Sequence, residues 1–196
     1  MTKPATVHAL LGDSQRPALV DCDGGWTLSH GELREAVEAL AEQLYELGVR
    51  PGDGVAIVME NSAATVVTFL AVVRASAIAQ PINSQLRRGE VEAELAEVHP
   101  ALMLIGDGAH DEAIAAAEAA DIAVHSVVHG PPPAIDGVAR ARGALADVDP
   151  EAVALLLHTS GTTSRPKAVP LRHRNLAASA TGIAEGYGLG PDDVSY

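Results

Sequence analysis

Aromatic residues are scarce in this chain, at 3% of 196 residues with a single Trp and a single Phe, so any core must be built from Ala, Val, Leu and Ile. Cysteine is nearly absent as well. Cys22 stands alone, which excludes a disulfide within the chain and fits a reducing cytoplasm. Asp21 and Asp23 flank it and disfavour a thiolate, so Cys22 reads as a packing residue rather than a nucleophile. Basic residues are few: 13 Lys and Arg against 26 Asp and Glu leave a net charge of −13. Such a surface repels nucleic acid and anionic lipid, and neither is an expected partner. Long hydrophobic runs are missing too. Val66 to Val73 is interrupted by Thr68 and is too short to span a bilayer. The first residues carry no apolar stretch of signal-peptide length. A soluble, cytoplasmic protein with no membrane span is the expectation.

What is present is an alternation of short apolar runs and helical patterns, with an apolar fraction of 47%, enough for one sizeable domain. Ala18 to Leu28 reads as a hairpin turning on Asp23-Gly24-Gly25. Ser29 with Glu32 is a capping-box pair. The helix it opens carries Leu33, Val37, Leu40, Leu44 and Leu47 at helical spacing and ends at Gly48. Val55 to Met59 is a strand buried on both faces, and Asn61 or Ser62 caps a helix running to about Ala75. Ile78 to Ile82 is a strand, Arg88 to Val98 a helix, Ala101 to Ile105 a strand, Asp111 to Ala120 a helix, and Asp121 to Val128 a strand. Gly130 to Pro150, with its three consecutive prolines, reads as a surface loop. Glu151 to Leu157 is a buried strand, and Arg172-His-Arg174 opens a helix to about Tyr187 and reads as a solvated face, with a place near phosphates as the alternative. Pro191 to Tyr196 reads as the start of another strand. The alternation predicts an α/β fold with a mostly parallel sheet flanked by helices.

The chemistry concentrates after Leu157, in His158-Thr-Ser-Gly-Thr-Thr-Ser-Arg-Pro-Lys167. Five hydroxyl side chains, Thr159, Ser160, Thr162, Thr163 and Ser164, surround Gly161, and Lys167 closes the run. Gly161 lets the backbone approach an anion, successive N–H groups form an anion-holding nest, and Lys167 adds a point charge. Hydroxyls donate to phosphate oxygens and ligate magnesium. In α/β sheets ligands sit beyond the carboxyl ends of the strands, where this run falls. A polar surface turn is the plainer alternative, because Ser and Thr are common in turns. A Walker loop is excluded by Pro166 before the Lys and by the strand-like Ala168-Val-Pro-Leu171. A hydrolase elbow is excluded by His158 where Gly is needed. His125 and His129 stand in a strand and a turn rather than on one helix face, so they do not read as a metal pair. His158 itself reads as a packing residue.

At these residues the sequence resembles the acyl-adenylate-forming superfamily of acyl-CoA synthetases, luciferases and peptide-synthetase adenylation domains. Thr159-Ser-Gly-Thr-Thr163, Pro166-Lys167 and His173-Arg-Asn175 match its signature segments. Trp26 to Leu33, Gly48 to Ile57, Glu60-Asn-Ser62 and Pro81-Ile-Asn83 are similar to others. Ser164 and Ala168 depart from the usual glycines, and Ser164 is usual in the oxalate–CoA ligase branch. The resemblance implies that residues 1–196 are an N-terminal portion of the large adenylate-forming domain, without the mobile lid domain. It implies ATP, Mg2+ and coenzyme A as cofactors and a carboxylic acid as substrate. An acyl-AMP forms with loss of pyrophosphate, and a thiol then displaces AMP. Thr159, Ser160, Gly161, Thr162, Thr163 and Lys167 would hold the phosphates, with Thr159 as magnesium ligand and no catalytic residue of its own. The chain alone is expected to be inactive and to expose apolar edges that suit a complementing C-terminal chain. Two other readings stand beside this one: a non-catalytic, partner-binding module that retains the fold, and an adenylation domain serving a carrier protein.

Overall fold

The computed structural model describes residues 3–108, 110–143, 145–159, 167–190 and 192–194, and for Thr159 and Lys167 the backbone alone. A 3-10 turn at His8–Leu10 leads into β1 (Pro17–Asp21) and β2 (Trp26–Ser29). Then come α1 (His30–Glu46), β3 (Gly54–Val58), α2 (Ala63–Arg74), β4 (Ile78–Pro81) and α3 (Arg88–Val98). β5 (Leu102–Ile105), α4 (Asp111–Ala119), β6 (Ala123–Val128) and β7 (Ala134–Ile135) follow. β8 (Val153–Thr159), β9 (Lys167–Arg172) and α5 (His173–Tyr187) close the series. No helix among the described residues is long and apolar enough to cross a membrane.

Seven strands form one sheet in the order β7-β6-β5-β3-β4-β8-β9, and β1 and β2 form a separate antiparallel hairpin. β3 runs parallel to β4 and β5, β5 to β6, and β4 to β8; the outer pairs β6·β7 and β8·β9 are antiparallel. The period-2 pleat of β3 sorts its residues between two cores. Val55 and Ile57 join Leu40, Leu44 and Val67 of α1 and α2. Ala56 and Val58 join Val91 and Leu95 of α3 and Ala113, Ala116 and Ala117 of α4. The central strands are therefore apolar on both faces, as their continuous hydrophobic runs require.

The local signals in the first half act as their spacing predicts. Ser29 Oγ accepts from the Glu32 N–H, while Glu32 accepts from the Ser29 N–H at 2.8 Å, completing the capping box of α1. Gly48 follows the last turn at φ 93°, in the left-handed region open to glycine. Of the two cap candidates for α2 it is Ser62 that accepts from the Thr65 N–H. At the β1–β2 turn Cys22 is exposed, so its reading as a packing residue is corrected. The hairpin's apolar contribution comes instead from Leu19, Trp26 and Leu28.

The Gly130–Pro150 stretch is more than a surface loop. Ala134 and Ile135 pair with β6 and extend the sheet, and Ile135 is wholly buried. The signal was hidden because two residues are too few to show a period. Their anchor is a polar residue on α1. The Gln43 side-chain amide is buried and donates to the carbonyls of Ile135 (3.1 Å) and Val138 (2.6 Å), while its oxygen accepts from the Ile135 N–H at 2.9 Å. Beside it Glu42 pairs with Arg140 at 2.7 Å and accepts from the Gly143 N–H. Gln43→Leu keeps the volume but leaves these backbone groups unpaired, and is expected to cost about 2 kcal/mol in urea unfolding. An unchanged midpoint would show that the stretch holds its place without Gln43.

Residues 192–194, expected to begin a strand, lie in none. Val194 is exposed there.

Candidate phosphate-binding site

β8 and β9 are the two arms of an antiparallel hairpin. The pairing runs from Val153↔Arg172 through His158↔Ala168 to Thr159↔Lys167. The backbones of Thr159 and Lys167 are thus opposite one another at the mouth of the hairpin, with residues 160–166 between them. Ser160, Gly161, Thr162 and Thr163 lie outside the described residues, as do the side chains of Thr159 and Lys167. The structure brings together only the two ends of the candidate set. A helix directly after the run would mark a Walker loop; the strand β9 stands there instead.

The mouth opens on the carboxyl side of the sheet. β8 is parallel to β4, with Ala79 opposite Leu155, so Thr159 ends on the same edge as Pro81 of β4 and Val58 of β3. That edge is where α/β sheets bind ligands. A cavity of about 400 Å³ lies on this edge, lined by Met59, Glu60, Asn61, Asn83, Ser84 and Gln85 among others. It joins two segments singled out separately in the sequence, Glu60–Ser62 and Pro81–Asn83. Ser84 Oγ donates to Glu60 at 2.7 Å, and Gln85 Nε2 lies 3.4 Å from the same oxygen. Asn83 Oδ1 accepts from the Gln85 N–H at 2.9 Å. The wall mixes amide and hydroxyl groups, which both donate and accept, with the single carboxylate of Glu60.

β8 is buried near its start and grows more exposed toward its end. Ala154 and Leu155 are buried, whereas Leu157 and its cross-strand partner Val169 are exposed. Ile183 and Tyr187 of α5 and Leu189 just beyond it are exposed as well. His158 points to the other face, toward α3. Its Nδ1 lies 3.5 Å from Glu94 and its Nε2 3.7 Å from Glu97, with the imidazole only 9% exposed. His158 does pack, but between two carboxylates. Burial pushes the Glu94 carboxyl above its ordinary range, reinforced by Glu97 and Glu90 and opposed by His158. Sequence reasoning missed these acids, although Glu90, Glu94 and Glu97 stand at i, i+4 and i+7, one face of a helix.

Arg172-His-Arg174 divides. Arg172 and Arg174 are exposed and both pair with Glu151. His173 is wholly buried with neither ring nitrogen hydrogen-bonded, which corrects its reading as part of a solvated face. Burial holds its pKa below the ordinary value, against an opposing pull from Asp149. Among the described residues no three His, Cys, Asp or Glu side chains gather as a metal site.

The AMP-binding enzyme family matches residues 8–196. A probable CoA ligase, CCL9, of Humulus lupulus is 37% identical over 193 residues, covering 92% of this chain and 36% of that protein. An oxalate–CoA ligase of Arabidopsis thaliana is 35% identical over 183 residues, covering 87% of this chain and 35% of that protein. Among solved structures, a long-chain-fatty-acid–CoA ligase (FadD1) from Archaeoglobus fulgidus superposes with a TM-score of 0.84 at 25% identity, covering 98% of this chain and 42% of that one. The chain spans little more than a third of the length of the curated relatives.

Proposed function

We infer that this chain, which belongs to the AMP-binding enzyme family, supplies the phosphate-holding hairpin of an ATP-dependent acid–thiol ligase. The observation that carries the reading is the pairing of Thr159 with Lys167 across β8 and β9, at the carboxyl edge of the parallel strands. The two ends of a hydroxyl-rich run with one glycine and one lysine are side by side at the edge where α/β sheets hold ligands, which supports the reading.

In this reading a carboxylate attacks the α-phosphorus of ATP and pyrophosphate leaves. Thr159, Ser160, Gly161, Thr162, Thr163 and Lys167 would hold the β- and γ-phosphates, and the Thr159 hydroxyl would be a ligand for magnesium, whose charge would help neutralise them. Positioning and charge neutralisation dominate such a transfer. Coenzyme A is the thiol in the named ligase relatives, and the proposal extends it to the full reaction here. The fit rests on the donor set: five hydroxyls, one glycine and one lysine in nine residues.

The test uses the purified chain with magnesium, ATP, a panel of carboxylic acids and labelled pyrophosphate. Binding of pyrophosphate without isotope exchange into ATP is the expected result. Exchange by the chain alone overturns the expectation that it is inactive by itself. Absence of pyrophosphate binding favours a non-catalytic module that retains the fold.

A further inference from the structure

We propose that His158, Glu94 and Glu97 form a positioning bracket that fixes the mouth of the β8–β9 hairpin to α3, and thereby sets the geometry in which pyrophosphate is held. The inference rests on the phosphate-holding role assigned above.

The bracket meets both arms of the hairpin at one rung, with His158 Nε2 buried beside Glu97 and without a hydrogen bond. His158 is the residue before Thr159, and Ala168 is the residue after Lys167; the two are cross-strand partners. From α3, Glu97 reaches both: one carboxylate oxygen lies 3.7 Å from His158 Nε2, and the other accepts from the Ala168 N–H at 3.4 Å. Glu94, one turn earlier and only 16% exposed, lies 3.5 Å from His158 Nδ1. An edge strand has an outer row of backbone groups without a sheet partner. Here the edge hairpin is tied instead to a helix, and the tie falls on the rung next to the proposed phosphate contacts.

The arrangement runs against simple electrostatics, which makes it testable. Two carboxylates beside a polyanion site repel the ligand, and a site tuned for charge alone would not place them there. Their presence is accounted for if they hold the hairpin. The two explanations predict opposite signs for Glu97. If its charge is what matters, Glu97→Ala strengthens pyrophosphate binding; if the bracket is what matters, Glu97→Ala weakens it.

The experiment is calorimetric titration of the chain with inorganic pyrophosphate and magnesium. The variants are Glu97→Ala, Glu97→Gln, His158→Ala and the Glu97→Ala/His158→Ala double. Each alanine variant is expected to bind roughly fivefold more weakly, the double no weaker than either single, as for two parts of one device. Glu97→Gln keeps an acceptor for Ala168 and is expected to retain binding, with melting temperatures alike across the set. Tighter or unchanged binding in Glu97→Ala overturns the bracket while leaving the phosphate site standing. Weakening that tracks a fall in melting temperature and adds up in the double also overturns it, in favour of a general packing role. A wild-type chain that binds no pyrophosphate overturns the phosphate-holding reading itself, and the bracket with it.

Discussion

Lys167→Ala is expected to weaken pyrophosphate binding ten- to a hundredfold in calorimetric titration, about 1.5–3 kcal/mol for a charge-assisted contact to phosphate. The chain carries a net charge of −13, so its far field opposes any polyanion. Attraction has to come from cations within a few ångströms, and the hairpin run offers only Arg165 and Lys167. Lys167 is placed by the ladder, opposite Thr159, at the neck where both arms meet. Alanine keeps the backbone pairing, so the melting temperature is expected to stay within a degree or two. Lys167→Arg keeps the charge but exchanges a compact ammonium for a planar fork, and is expected to recover part of the affinity. Screening adds a second check: wild-type affinity should fall with added salt more steeply than that of Lys167→Ala. Equal affinity in the two proteins would remove Lys167 from the site.

Much of this architecture was legible because its signals are local and redundant. α1 declares itself three ways: a capping box at Ser29 and Glu32, four buried residues at helical spacing, and Gly48 just past its end. β3 and β5 are short unbroken apolar runs because both faces are covered, and that too is written in the chain. What stayed hidden depends on partners far away in sequence. β7 is two residues long; it pairs with β6, and Gln43, 92 positions before Ile135, takes up that residue's backbone N–H and carbonyl. The exposure of Cys22 follows from a turn tip, where a small apolar residue has nothing to pack against. His158 and His173 are adjacent to recognisable motifs, and the motifs told nothing of their surroundings. One lies between the carboxylates of α3; the other is sealed at the start of α5. The proposed phosphate-holding run was readable as residue types, whereas the carboxylates beside His158, Glu94 and Glu97, were written only in a helical spacing that solvent-facing helices share.

His173 makes the second large prediction: the fold should lose stability as pH falls below neutrality, and His173→Leu should flatten that loss. An unfolded histidine titrates near pH 6.5. Burial holds the His173 pKa below that value in the folded chain, with Asp149 the opposing influence. Between the two values the unfolded chain binds a proton that the folded one refuses. Stability is therefore intact above about pH 6.5 and declines below it, until the pH reaches the folded pKa. His8 acts in the same direction, through burial first and then Arg74 and Arg34, with Glu38 opposing. While both titrate, the slope approaches about 1.4 kcal/mol per pH unit for each histidine. Glu94 works the other way. Burial raises its pKa, so it favours the fold where it is protonated, and that contribution is lost as pH rises through its folded value. Its sign opposes that of the histidines, so His173→Leu, which leaves Glu94 in place, is what isolates the histidine part. Urea unfolding at pH 8, 7, 6 and 5 separates the cases. His173→Leu fills a similar volume and removes two ring nitrogens that have no hydrogen-bond partner, so at pH 8 it is expected to match the wild type or exceed it. By pH 5 the difference should widen in its favour. Parallel pH profiles for the two proteins would show that His173 takes up its proton in the fold as easily as in the unfolded chain, and that the acid sensitivity lies elsewhere.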